Sequence, residues 1–173
     1  MQVDLFFKIK YLKKLIIIRH AKSNQSFLGN DFERPLNERG LTDAPIMANR
    51  LKGTDIKIDN LIASPAIRAK KTAELFAETL QQPKDKIIFI SALYHASAET
   101  FYEVVAGLAD ELNTVALFSH NPGITYFVNS LVSNVKLDNM PTCAIFAISA
   151  DTHHWREFSK ATKKMLFFDY PKK

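Results

Sequence analysis

Three places along this chain set a basic or polar signature directly after an apolar run. Arg19-His20 follows Leu15-Ile16-Ile17-Ile18, Ser64-Pro65 with Arg68 follows Asn60-Leu61-Ile62-Ala63, and Ser119-His120 follows Thr114-Val115-Ala116-Leu117-Phe118. Taken singly, such pieces are ordinary: a solvated strand end, a helix start and a turn. Taken together they describe one chemistry. If the three runs are neighbouring parallel strands, two histidines and two arginines converge where α/β sheets collect their ligands, at the strands' C-terminal ends. Two guanidinium groups grip phosphoryl oxygens through charge-assisted, often bidentate hydrogen bonds. Helix N-termini after Ser64 and Pro122 would add backbone N–H groups. A neutral imidazole nitrogen is a competent nucleophile toward phosphorus, and a second histidine can donate a hydrogen bond to the transferring group. Phosphoryl transfer asks mainly for positioning and charge stabilisation, which this set provides.

The elements that would hold these residues are readable from pattern. Leu15–Ile18 is continuously apolar and β-rich, as in a strand buried on both faces. After a loop over 24–36, Asn37 is placed to cap a helix to about Lys52, with Pro45 predicting a kink inside it. Asn60–Ala63 is a second strand. Ser64-Pro65 reads as N-cap and N1 of a helix to about Leu80, with Ala69, Ala73, Phe76, Ala77 and Leu80 on one face. Ile87–Ile90 is a third strand, Ala98 to about Asp110 a helix, and Thr114–Phe118 a fourth strand. Ser119–Gly123 turns into a helix to about Val132, Ala144–Ile148 is a fifth strand, and Trp155 onward adds an edge strand. This alternation predicts an α/β fold, a three-layer α/β/α sandwich with a mostly parallel central sheet. No linker or composition break divides the chain, so 14–173 reads as one domain and 1–13 as an N-terminal extension.

Composition narrows the partners. The 173 residues are 47% hydrophobic and 24% charged, the profile of a globular protein. No apolar run approaches the roughly 20 residues of a membrane span. Charges interrupt the first fourteen residues, which is unlike a secretory signal. Cys143 is the single cysteine, which leaves no intramolecular disulfide or cysteine-rich metal site and points to a reducing, cytoplasmic setting. The net charge of +5 invites a nucleic-acid reading, but the excess sits at the ends: 1–14 carry +3, 156–173 carry +4, and the middle is left at −2. A nucleic-acid binder needs a basic stripe across the folded body, whereas terminal charges suggest solvated tails. Neither nucleic acid nor membrane is an expected partner, and the sequence assigns no oligomeric state. Cys143 itself is expected in the core, as are Phe167, Phe168 and Tyr170.

Ile18-Arg19-His20-Ala21-Lys22-Ser23 resembles the R-H-G signature of the histidine phosphatase superfamily, the phosphoglycerate mutase-like group, in a variant with alanine for glycine. Asp31–Gly40 is similar to the segment that follows in that family. Ala63-Ser64-Pro65-Ala66-Ile67-Arg68-Ala69-Lys70-Lys71-Thr72-Ala73 resembles its second block, and Ser119-His120-Asn121-Pro122-Gly123 its third. Three blocks in order, each at a strand end, make a specific signal. The short chain without a large insertion looks most like the SixA-type phosphohistidine phosphatases.

The resemblance implies that His20 attacks phosphorus and becomes phosphohistidine. Arg19, Arg68 and His120 would bind the phosphoryl oxygens, Ser23 and Asn24 would line the pocket, and no metal or cofactor is called for. The general acid of relatives has no clear counterpart, leaving Glu99 and His95 as candidates. An acid in a helix's first turn, such as Glu99, also has a purely structural use. The expected substrate is a phosphorylated protein, with protein phosphohistidine foremost. A small phosphate ester or nucleotide is the alternative, and a non-catalytic phosphate-binding scaffold is the reading of another class.

Overall fold

A computed structural model describes residues 12–172. Most of the expected extension, residues 1–11, lies outside them, but Leu12 and Lys13 already belong to the first strand, β1 (Leu12–Arg19). The helices are α1 (Glu38–Lys52), α2 (Ile67–Thr79), α3 (Ala98–Ala106) and α4 (Gly123–Leu131). The remaining strands are β2 (Asn60–Ala63), β3 (Ile88–Phe89), β4 (Thr114–Ser119), β5 (Ile145–Asp151) and β6 (Lys163–Asp169). They form one six-stranded sheet in the order β3-β2-β4-β1-β5-β6.

The sheet is mixed rather than mostly parallel. β3, β2, β4 and β1 pair in parallel, whereas β5 is antiparallel to both β1 and β6. The reason lies in the connection. The segment after α4 returns to the C-terminal end of β1 without forming a strand, and there the Cys143 N–H donates to the Arg19 and His20 carbonyls. β5 therefore enters the sheet from that end, pairing Ile145 with Ile18 and Asp151 with Leu12.

Alternation along β1 divides the core. Leu15 and Ile17 join Phe101, Val105, Ile124, Phe127 and Val128 of α3 and α4, while Ile16 and Ile18 join Met47, Ala48, Leu51, Phe76 and Ala77 of α1 and α2. Helices thus cover both sides of a fully buried strand, which is why its sequence is apolar without a break. Cys143 lies in the α1–α2 side of this core, with Phe167 packed against it, and Phe168 and Tyr170 pack on the other side.

Several local expectations change. α1 is capped by Asn37 as its sequence suggests, the side-chain oxygen accepting from Gly40 N–H, and the helix runs on through Pro45. α2, however, starts two residues later than expected. Its N-cap is Ala66, which makes no side-chain cap, because the Ser64 hydroxyl is turned to another partner described below. β3 is two residues long, since Ile87 closes the preceding 3₁₀ turn on the Lys84 carbonyl. α3 ends early, where Gly107 caps it.

The terminal charges are not all solvated tails. Lys13 is buried, its ammonium satisfied by the Asp110 and Leu112 carbonyls and Asn113 Oδ1. Lys163 and Lys164 belong to the β6 edge strand, with Lys163 Nζ bonded to the Ser159 and Ala161 carbonyls. Among the described residues no helix is long and apolar enough to cross a membrane.

Candidate active site

The register of the sheet places the three sequence signatures side by side. Arg19 pairs with Ser119 and Ala63 with Phe118, and past these pairs His20 N–H donates to the Ser119 carbonyl and Ser64 N–H to the Phe118 carbonyl. His20, Arg68 and His120 are all buried. The two imidazole centroids lie 5.1 Å apart.

The tautomer of His20 follows from its partners. Nδ1 lies 2.7 Å from the Ala21 carbonyl, which can only accept, so Nδ1 carries the proton. Nε2 is left with its lone pair, and the Arg68 Nε–H points to it at 3.3 Å. Ala21 is itself pinned, its N–H donating at 3.0 Å to Thr72 Oγ1, one helical turn beyond Arg68 on α2. Burial is the largest influence on His20 and lowers its pKa to about 3; the Ala21 carbonyl opposes this, and Arg68, Arg19 and Arg34 lower it further. Burial also leads for His120, pushed down to about 2, with positive charge at His20, Arg68 and His95 adding to it and Asp31 opposing. Both imidazoles are therefore neutral near pH 7.

Two buried nitrogens of this cluster, Arg19 Nε and His120 Nδ1, have no hydrogen-bond partner among the described residues. The other nitrogen of His120, Nε2, lies 2.7 Å from Ser64 Oγ. Arg19 also donates from Nη1 to the Met140 carbonyl at 2.6 Å. An unpaired buried donor is costly unless something else completes it, so these atoms mark where a ligand oxygen fits.

The mouth of the site is built by Asp31, Arg34 and Tyr94. The Asp31 carboxylate accepts from Arg68 Nη2 at 2.9 Å, from Arg34 Nη2 at 2.8 Å and Nε at 3.1 Å, and from the Tyr94 hydroxyl at 2.9 Å. Its backbone carbonyl accepts from Arg68 Nη1 at 2.6 Å. Burial would raise the Asp31 pKa, but Tyr94, Arg34 and Arg68 together hold it well below the usual carboxylate range. Tyr94 in turn packs edge-on against Phe32 and His120 and lies over His95.

Two glycines of the sequence blocks let these parts approach. A Cβ at Gly40 would collide with the Lys22 carbonyl, and one at Gly123 with the Ala96 carbonyl. They seat α1 against the loop after His20 and α4 against the loop that carries Tyr94 and His95.

Not every expected residue joins the cluster. Ser23 is buried but holds Arg34, accepting from Nη1 at 2.7 Å, rather than touching either imidazole. Asn24 turns its side chain to the Ser26 N–H in a local turn. Glu99 is fully exposed, its carboxylate held below its ordinary pKa by its own backbone N–H and Ser97 at the start of α3. No hydrogen bond or ion pair joins it to the cluster among the described residues. His95 is exposed at the rim, with φ at 56°. Among the described residues no group of three or more His, Cys, Asp or Glu side chains could hold a metal ion.

The charges sum simply. Arg19, Arg34 and Arg68 give +3, ionised Asp31 gives −1, and the imidazoles are neutral, so the site carries +2. That complements a phosphoryl dianion.

The chain is similar to known proteins in sequence and in fold. Residues 15–89 match the family model described as histidine phosphatase superfamily (branch 1). The chain is 26% identical over 149 residues to the phosphohistidine phosphatase SixA of Escherichia coli K12, covering 83% of this chain and 92% of that protein. The fold matches the structure of the protein histidine phosphatase SixA complexed with tungstate, with a TM-score of 0.78, 24% identity and coverage of 91% of this chain and 97% of that one. It also matches the mycobacterial glucosyl-3-phosphoglycerate phosphatase, with a TM-score of 0.63, 17% identity and coverage of 90% and 97%. The three sequence blocks, their meeting at one sheet edge and these likenesses point the same way: over residues 15–89 the chain matches the histidine phosphatase superfamily (branch 1), and it is similar to SixA along most of its length.

Proposed function

We propose that this protein is a metal-independent phosphatase that works through a phosphohistidine intermediate at His20, with protein-bound phosphohistidine as substrate. The observation that carries the reading is the state of His20: neutral, its proton fixed on Nδ1, and its Nε2 lone pair facing the Arg68 guanidinium. Nε2 attacks phosphorus, the bond from phosphorus to the leaving group breaks, and the phosphoryl group rests on His20. Arg19, Arg68 and the Nδ1–H of His120 bind its oxygens. Ser64 supports that tautomer: its oxygen accepts from Ala66 N–H at 3.4 Å, leaving the hydroxyl proton for His120 Nε2. Water then attacks phosphorus, inorganic phosphate leaves, and His20 regains its lone pair.

The leaving group favours phosphohistidine. An alkoxide departs poorly without a proton, and Asp31 is ionised while Glu99 stands apart. A phosphorylated imidazole protonated on its second nitrogen leaves as neutral imidazole and needs no acid. A small phosphate ester is the second reading, favoured by His95, whose ring lies beside Tyr94 at the rim where a donor to an ester oxygen would stand. A scaffold that merely binds phosphate has no use for a preserved Nε2 lone pair. A phosphorylated protein as partner and a cytoplasmic setting accompany the first reading.

The test is hydrolysis without added metal of a phosphohistidine peptide and of p-nitrophenyl phosphate, by wild type and His20→Ala. Faster turnover of the peptide and a loss of about a thousandfold or more in the variant are expected. Far faster hydrolysis of a sugar phosphate than of the peptide would transfer the assignment to the ester reading.

A further inference from the structure

Beside the site, the first turns of α1 and α2 leave an open groove of about 440 Å³ lined by Pro35, Leu36, Leu41, Ile67, Lys70, Lys71 and Glu74. Its lining residues are chain neighbours of those that build the site. Ile67 precedes Arg68, Pro35 follows Arg34, and Leu36 bridges to Ser23, which holds Arg34. Leu41 and Ile67 are 44% and 39% exposed. Lys70 carries the apolar surface outward, its ammonium 5.5 Å from the centre of the Phe89 ring on the edge strand, where Ile88 is also exposed. Neither Lys70 nor Lys71 forms an ion pair among the described residues, although the Lys71 charge helps hold the exposed Glu78 carboxylate below its ordinary pKa.

We infer that this groove docks the polypeptide flanking the phosphorylated residue of the substrate, taking an apolar side chain between Leu41 and Ile67 and acidic residues on Lys70 and Lys71. The inference rests on the protein-phosphohistidine reading and adds a specificity to it. Charge complementarity selects the occupant. The groove presents an apolar bed with the Lys70 and Lys71 ammonium groups against the single Glu74 carboxylate, a net positive lining that fits a segment of opposite charge and disfavours a basic one. Its place beside the mouth puts such a segment on the same chain as the reacting group, so docking raises the local concentration of the phosphoryl group without a contact to phosphorus. A small phosphorylated molecule confined to the Arg–His cluster gains nothing from it.

Two phosphohistidine peptides test this, one carrying a leucine between two glutamates beside the phosphorylated residue, the other alanine between two lysines. p-Nitrophenyl phosphate serves as the small probe. The variants are Leu41→Glu and Lys71→Glu. Both positions are exposed, and an acid in the first turn of α1 suits the helix dipole, so the fold tolerates the first change. Wild type should prefer the leucine–glutamate peptide by a lower KM, each variant should raise that KM about tenfold, and kcat/KM on p-nitrophenyl phosphate should stay within about twofold. Equal KM values for the two peptides, or variants that leave the preference intact, would overturn the docking groove while leaving the substrate class standing. Equal losses on peptide and small probe would overturn it too, by placing the effect in the pocket. Hydrolysis of the small probe with no phosphohistidine peptide would end both the substrate reading and the dock. Sedimentation as a dimer that Leu41→Glu dissociates would give the groove to a second copy of this chain instead.

Discussion

The orientation of His20, the proposed nucleophile, depends on a residue outside the His–Arg cluster, and Thr72→Val isolates it. Thr72 is fully buried, its hydroxyl accepting from the Ala21 N–H at 3.0 Å and donating to the Arg68 carbonyl at 2.6 Å. Valine keeps the shape and one methyl but offers no acceptor. The Arg68 carbonyl sits inside a helix and keeps its i+4 backbone bond. Ala21 N–H is left buried and unpaired, which costs about 1–3 kcal/mol. Against a total of about 5–15 kcal/mol that is readily measured by urea denaturation. Ala21 also holds the Nδ1 proton of His20 through its carbonyl, so any shift of this residue in search of a new partner turns the imidazole away from phosphorus. A misplacement approaching 1 Å costs up to about a hundredfold in kcat. KM should change little, because Arg19, Arg68 and His120 are untouched. Thr72→Ser keeps the hydroxyl and should restore kcat while losing only the methyl packing. Equal stability and kcat in Thr72→Val and wild type would refute the chain from Thr72 through Ala21 to His20. Equal damage in the serine and valine variants would assign Thr72 to packing alone.

Acid should unfold the protein through its two buried histidines. Their pKa values are lowered from 6.5 to about 3 and about 2, so between pH 6.5 and 3 the unfolded chain binds up to two protons that the folded chain refuses. Stability therefore falls as pH drops through that window, by up to about 2.7 kcal/mol per unit; urea titrations at stepped pH should show this slope, roughly halved in His20→Gln, and a flat profile from pH 6 to 4 would contradict the buried neutral state. Ser64→Ala removes the partner of His120 Nε2 and frees the tautomer, so vanadate should bind about tenfold more weakly by inhibition kinetics, and unchanged inhibition would mean that Ser64 does not set the His120 proton.

What the sequence made legible, and what it did not, divides along the range of the interactions. Arg19, His20, Arg68 and His120 each lie within a few residues of an apolar run whose pattern announces a buried strand. The parallel pairing of β1, β2 and β4 then brings them together with no further information. Gly40 and Gly123 were visible as glycines at helix starts, but their use as points of backbone contact depends on which carbonyl lies opposite. The antiparallel turn of β5 escaped because the segment after α4 returns to the site without strand or helix periodicity. Ser64 departs from its local pattern for a sharper reason: Ser-Pro ahead of a helix is a strong local capping signal. It is overridden here by a histidine 56 positions away that has a buried nitrogen to satisfy.

Asp31 shows the same limit and why it matters. Local pattern does not single Asp31 out from Glu33 beside it, and although Arg34 is a near neighbour, the partners that tie Asp31 to the site stand 37 and 63 positions away. Simple charge logic would even exclude a carboxylate from an anion site. Yet Arg68 has three donor groups to place, and if all were free it could rotate away from His20. Asp31 engages Nη1 through its carbonyl and Nη2 through its carboxylate, which leaves Nε for His20. The carboxylate is 45% exposed, so water screens much of its repulsion for an incoming phosphoryl group, whereas its two guanidinium partners lie deeper, at 4% and 21%. A half-solvated acid can thus order the arginines while three guanidinium charges still outweigh it, which is the arrangement a site needs when it must bind a dianion and keep a histidine uncharged beside it.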